Sequence, residues 1–421
     1  MVALLYPVYI KAEFVKPYII TFILSLVYIL ILLGLNKFPR PNIFTFTFIL
    51  IPLISGSIML MRGNMDIIPD AIRFSYFIYV FIVMNIIMLS YIKNIEKVEI
   101  IKTLLYYVSI IVCFVGFVEI ILQKQWTLIL IEYFGINSDK VNIIPSIENY
   151  IRPISLIGNP IPLGMFCSCI GVLSLHHCIQ YNSYKHTFVF IINALMVFLS
   201  FSRSSWLGFI ISISVLLLMY VIAFYKKKIL SKIWIITFVS TIVMLSITIC
   251  MYLFIEESKI DRFNIRTAFF GRLENVKEDP NVLYRLIQWN RAITEVTTFS
   301  DAILFGYGPG SNWYYYGKGL SMEERKDPEI VTESPTFDNT FISILYQYGF
   351  FGILWVISLM IMYFIYLLKR YEFSEHWRIA VITGIVVNSL FFEIFPWNIG
   401  IYIFMFAATI PRNIRYKKSI F

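Results

Sequence analysis

Leu199-Ser200-Phe201-Ser202-Arg203-Ser204-Ser205-Trp206-Leu207-Gly208 sets one arginine between two otherwise uncharged apolar runs, near 186–201 and 204–225. A guanidinium within a span costs roughly 3 kcal/mol on insertion scales, so it snorkels, lines a wet cavity or binds an anion. Outward from this turn, further apolar runs fall near 17–35, 43–61, 72–91, 103–123, 155–176, 232–255, 341–368, 378–395 and 397–411. A spanning helix needs roughly 20 apolar residues, so about eleven helices (10–12) are expected, the last of them short. Of 421 residues 59% are hydrophobic and 14% charged, which excludes an ordinary soluble globule. The expected fold class is an all-α polytopic membrane protein. Its first apolar stretch has no small-residue cleavage site behind a basic start and reads as a retained span.

The net charge of +9 does not point to nucleic acid, because the basic residues are distributed by membrane side. Lys226-Lys227-Lys228 with Lys232, Lys369-Arg370 with Arg378, and Arg412, Arg415, Lys417 and Lys418 share one face if the spans alternate. Lys37, Arg40, Lys93, Lys97 and Lys102 agree. That face is cytoplasmic by the positive-inside rule, which puts the amino terminus outside and the carboxyl terminus inside. The other face receives residues 124–152, the turn at Ser202–Ser204, and one large loop, 256–336, with ten basic and thirteen acidic residues.

Three parts follow: transmembrane helices 1 to 8 in residues 1–255, the extracytoplasmic loop 256–336, and carboxyl-terminal spans in 337–421. The Gly, Pro and aromatic content of the loop predicts an ordered structure packed on the membrane body. Residues 124–152 have an amphipathic character that suits the interface.

Cys113, Cys167, Cys169, Cys178 and Cys250 lie in or at the ends of spans and read as buried small hydrophobes. All four histidines, His176, His177, His186 and His376, fall at expected cytoplasmic ends. Solvated helix-end residues is the plain reading, and a His176-His177 metal pair the sharper one. Glu119 and Glu393, well inside spans, are placed to line an external cavity. No metal or cofactor is expected.

Four clusters fall on the outer face. Tyr150-Ile-Arg152-Pro-Ile-Ser-Leu-Ile-Gly158-Asn159-Pro160-Ile-Pro162-Leu-Gly164 opens a span with helix breakers, which leaves backbone groups to line a cavity or merely kinks the span. In the second, Ser202, Ser204 and Ser205 surround Arg203 with hydroxyls suited to a phosphate oxygen, or the arginine snorkels beside an interfacial Trp206. The third holds Tyr284, Arg285, Gln288 and Trp289, the last three on one helical face by i, i+3, i+4 spacing. It continues into Gly306-Tyr-Gly308-Pro-Gly310-Ser-Asn312, which is not a P-loop: its amides cup an anion, or it is only a turn. Trp313, Tyr314, Tyr315 and Tyr316 then offer faces for sugar rings or an interfacial belt. The fourth holds Glu333, Asp338 and Asn339, where Asp338-Asn339 caps the next helix or supplies a carboxylate.

Ser-Arg203-Ser-Ser-Trp-Leu-Gly208, Arg285-x-x-x-Trp289 before Gly306-x-Gly-Pro-Gly310, and Asp338-Asn339 opening a helix that reaches Gly349-Phe-Phe-Gly352 resemble the O-antigen ligase/polymerase superfamily in order. The resemblance covers roughly residues 150–370. It implies a bacterial plasma-membrane glycosyltransferase of the C-type membrane fold, metal-independent and working on the outer face on undecaprenyl-diphosphate-linked glycans. Arg203 and Arg285 match the family's two donor-diphosphate arginines, and Arg152 the arginine before a Gly-Asn-Pro span start. Asp338 stands where ligases commonly carry histidine in a His-Asn pair. That departure leans toward a repeat-unit polymerase making O-antigen, capsule or a related polysaccharide.

The chemistry agrees. A sugar on a lipid diphosphate is already activated, and the departing diphosphate gathers negative charge that arginines neutralise without a metal. The acceptor hydroxyl must lose a proton, which makes Asp338, or Glu333 close by, the candidate base. Ser204, Tyr284, Gln288, Gly308, Gly310 and Asn339 are expected to contact substrate. Ligase-type transfer to a terminal acceptor is the alternative, and a lipid-linked-glycan flippase the non-enzyme one. The bilayer is a partner throughout; a chain-length regulator and a separate flippase accompany the polymerase reading.

Overall fold

The computed structural model describes residues 53–58, 95–125, 151–227, 280–298, 300–311, 337–369 and 376–392, with isolated positions near 31, 35, 60, 61 and 403–407. Among these residues all regular structure is helical. We number the helices α1 (Ile95–Leu122), α2 (Pro160–Tyr181), α3 (Tyr184–Leu199), α4 (Arg203–Lys227), α5 (Pro280–Thr298), α6 (Ser300–Phe305), α7 (Thr340–Lys369) and α8 (His376–Ser389). Four of them are long and apolar enough to cross a membrane, within Val98–Leu122, Pro160–Tyr181, Arg203–Val221 and Thr340–Ser358. Helix α3 is a shorter apolar helix. These features fit a polytopic membrane protein. The runs expected near 17–35, 43–61, 72–91, 232–255 and 397–411 lie largely outside the described residues, as do Cys250 and Glu393.

The helices form two compact units. The first holds α1 to α4 and α8; the second holds residues 53–58, α5, α6, α7 and residues 389–392.

In the first unit, α2, α3 and α4 run back and forth through tight turns. Helix α2 is the centre, buried from Leu163 to Leu175 almost without interruption. Helix α1 is two-faced: Leu104, Tyr107, Ile111, Phe114 and Ile121 are exposed at helical spacing, while Leu105, Val108, Val112 and Cys113 are buried. An exposed apolar stripe on a spanning helix is where lipid chains pack. Glycines set the close crossings. A Cβ on Gly164 would meet Ser205 Oγ at 2.6 Å, and one on Gly208 would collide with the Asn388 amide of α8.

The span expected from residue 155 begins later, and its prolines do not break it. Ser155–Ile157 is a 3₁₀ turn ending at left-handed Gly158 (φ 85°), and Asn159 then caps α2 by accepting the Ile161 N–H. Pro160 and Pro162 occupy the first turn, where a missing N–H costs nothing.

The histidines also depart from the solvated reading. His176, His177 and His376 are at most 2% exposed. Tyr220 OH bonds His176 Nδ1 and Tyr106 OH bonds His177 Nδ1, each at 2.8 Å, and the His186 ring sits 5.2 Å from His177. His376 packs edge-on against Tyr220. Three of the four imidazoles are buried among aromatic rings instead of facing water, and His186 is half-buried beside them. Cys113, Cys167 and Cys169 are buried, as expected, and Cys178 is half-buried.

In the second unit, α7 is broken at Gly349 (φ 65°, ψ −161°), where a continuous span was expected. The break turns helix carbonyls over to outside donors. Tyr307 N–H donates to Tyr346 O at 2.9 Å, Gly308 N–H to Gln347 O at 3.0 Å, and Ser55 Oγ to Gln347 O at 2.9 Å. Gly306 (φ 68°) and Gly349 permit the approach, since a Cβ on either would collide with the opposing backbone. Beneath lies a small core of Ala292, Val296, Phe337 and Tyr346, with Trp289, Tyr307, Ile342 and Leu345 around it.

Candidate active site

Helix α5 is amphipathic and presents Arg285 and Trp289 one turn apart to the strand of chain entering α7. Arg285 donates from Nε and from Nη2 to Asp338 Oδ2, both at 2.9 Å, with each side chain 27% exposed. Trp289 Nε1–H donates to Phe337 O at 2.6 Å. The i, i+4 face of α5 therefore grips two consecutive residues lying about fifty positions further along. Asp338 itself is left-handed (φ 48°), a conformation Asp tolerates better than most residues.

Of the two readings open for Asp338-Asn339, the structure divides them between the residues. Asn339 is the cap: its Oδ1 accepts the N–H groups of Phe341 and Ile342 at 2.9 and 3.1 Å. Its Nδ2 donates to Leu390 O at 2.8 Å, so the amide is fully engaged inside the protein. Asp338 is the ion-pair partner. Gln288 is 6% exposed, and its Nε2 has no hydrogen-bond partner among the described residues.

The glycine turn proves to be a joint in the fold. Gly308 N–H goes to Gln347 O and Gly310 N–H to Gln347 Oε1 at 2.8 Å, while Gln347 Nε2 donates to Ser343 Oγ at 2.8 Å. Of the two readings open for this turn, the amides of Tyr307, Gly308 and Gly310 follow the structural one and hold α7. Glu333, Asn312 and Trp313 to Tyr316 lie outside the described residues, as does the Tyr284 side chain.

In the first unit, Arg203 is the first residue of α4 and half-buried. Cations are disfavoured at the positive end of a helix dipole, so helix stability does not account for an arginine there. Ser202 caps the helix, accepting the Ser205 N–H at 3.4 Å, and its Oγ also meets Ser204 Oγ at 3.1 Å and Ser205 Oγ at 2.9 Å. The three hydroxyls, all buried, bond one another. Trp206 is buried too, not an interfacial anchor: its indole N–H reaches Val197 O and Phe198 O at 2.9 and 3.2 Å, tying down the end of α3. Arg152 Nε donates to Ser200 O at 3.4 Å, beside the same turn.

Glu119 was expected to line a cavity. It is 1% exposed, and its Oε2 accepts the N–H groups of Ile154 and Ser155 at 2.9 and 2.7 Å. It anchors the segment that carries Arg152. A lone carboxylate inside an apolar span was the signal, because a buried charge demands donors. Gln347 and Ser55 gave no signal in sequence, since Ser55 pairs with the main-chain oxygens of Phe305 and Gln347 and Gln347 with main-chain amides of the glycine turn.

A family model described as O-antigen ligase matches residues 188–357. The matched residues carry the motifs that resemble the O-antigen ligase/polymerase superfamily. No curated protein and no solved structure matches the chain. The matched segment contains Arg203, Arg285, Gln288, Asp338 and Asn339, while Glu119 and Arg152 precede it. The family comprises glycosyltransferase-like membrane enzymes, ligases and polymerases alike. With the apolar helices, the match supports a bacterial plasma-membrane protein.

Proposed function

We propose that the chain polymerises undecaprenyl-diphosphate-linked oligosaccharide repeat units into a surface polysaccharide on the outer face of the plasma membrane. The observation that carries the reading is the Arg285–Asp338 pair inside the matched segment, a permanent cation and a carboxylate held 2.9 Å apart. In the reaction, Asp338 takes the proton of the acceptor hydroxyl. The hydroxyl oxygen forms the new bond to the anomeric carbon as the carbon–oxygen bond to diphosphate breaks. The electron pair leaves with undecaprenyl diphosphate, whose charge Arg285 and Arg203 neutralise, and the anomeric centre inverts. Half-buried arginines supply that charge in place of a metal.

Ligase-type transfer is the second reading, favoured by the family description itself. Asp338 in the place of the ligases' histidine favours the polymerase. Purified protein in liposomes, given its host's lipid-linked repeat units and no metal, decides between them. A ladder of multimers with released undecaprenyl diphosphate is expected. Transfer only after a lipid A-core or other terminal acceptor is added makes it a ligase, and substrate that changes leaflet without turnover makes it a flippase.

A further inference from the structure

We infer that the Arg285–Asp338 pair is a latch: the donor's diphosphate displaces Asp338 from Arg285, and only then is the carboxylate released to act as base. The inference rests on the proposed function above, and it names the regulation of that site.

Three observations lead here. Both guanidinium bonds that Arg285 makes to Asp338, from Nε and from Nη2, end on one carboxylate oxygen. A guanidinium edge of this kind is the one that grips a diphosphate in two-point fashion, so carboxylate and diphosphate compete for the same donors. Asp338 is held where it is by its neighbours, Phe337 by the Trp289 indole and Asn339 by its own cap. The carboxylate therefore stays at the site when Arg285 changes partner. Finally, Gln288 lies one helical turn from Arg285, 6% exposed, with an unpartnered Nε2 among the described residues. A buried donor left without an acceptor is costly unless a ligand oxygen supplies one.

The exchange has a chemical purpose. A base that is uncovered before the donor arrives would activate water as readily as a sugar hydroxyl. A base uncovered by the diphosphate itself becomes available only when an activated sugar is bound.

The test is the sign of one change in affinity. Full-length protein in nanodiscs is titrated with inorganic diphosphate by calorimetry. Removing the competing charge in Asp338→Asn, or in Asp338→Ala, is expected to tighten binding about fivefold, the size of one exposed charged pair, while turnover is lost. Equal or weaker binding in the folded variants overturns the latch and leaves Asp338 as a residue that positions Arg285. The wild-type protein gives a second reading independent of variants. Carbodiimide labelling of Asp338, read by peptide mass spectrometry, should rise when diphosphate is added; unchanged labelling overturns the latch. Arg285→Ala separates the two hypotheses. If it binds diphosphate as well as wild type, the donor-arginine assignment itself fails.

Discussion

Arg285 and Trp289 illustrate how much a single helical turn can organise. One side chain holds the Asp338 carboxylate and the other holds the carbonyl just before it. Replacing Trp289 by Phe keeps the ring in the small core and removes only the N–H. We expect a stability loss of about 1 kcal/mol with a several-fold fall in kcat and little change in donor KM, measured by thermal unfolding and steady-state assay. Asn339→Ala removes an N-cap and should cost about 1 kcal/mol, and Asn339→Asp should recover only part of it, because it keeps the cap but sets a carboxylate oxygen against Leu390 O. Arg203→Ala and Arg285→Ala should each abolish polymer formation with near-normal protein levels on a blot. Retained activity in both would remove the diphosphate clamp from the mechanism. The choice between Asp338 and Asn339 as cap was not legible in sequence, because either residue type caps a helix. Trp289 and Arg285, brought in from a separate helix, settle it.

Helix α7 and the glycine turn depend on each other as elements. The break at Gly349 is tolerable only because Tyr307, Gly308 and Ser55 pair the carbonyls it exposes. Gly349→Ala and Gly306→Ala each combine a left-handed backbone with a collision against main chain. Both should lower the thermal midpoint in detergent well beyond Ser55→Ala, which removes one hydroxyl donor and should cost about 1 kcal/mol. In the first unit, Glu119 plays a comparable part for the segment before α2. Glu119→Ala leaves two buried N–H groups without their acceptor, at about 1–3 kcal/mol each, whereas Glu119→Gln keeps a carbonyl oxygen for them and should lose less. A wild-type melt for Glu119→Ala would contradict the anchoring role. Helical periodicity made α5 and its shared face readable in advance. It carried no trace of the Gln347 contacts, because the main-chain amides that donate to it look the same in every sequence.

Helices α2, α3 and α4 follow one another through turns at 182–183 and 200–202. If all three cross the membrane, those turns lie on opposite faces. With the basic ends cytoplasmic, a fluorescent-protein fusion after Asn182 should be bright, and an alkaline phosphatase fusion after Ser202 active. The reverse pattern would place Arg203 on the cytoplasmic face and sink the outer-face assignment. The four-histidine cluster lies at the end of the first unit away from Arg203, since His176 and His177 close α2 while Arg203 opens α4.

Apolar length is a property of the chain, so the sequence by itself determined the apolar helices near α1, α2, α4 and α7 that are long enough to cross a membrane. Backbone amides, hydroxyls and carboxylates carry no such mark, because each has many possible partners until the helices pack. Tertiary structure alone therefore decided that the glycine turn serves α7, that the serines bond one another, that Asn339 caps, and that Arg285 meets Asp338.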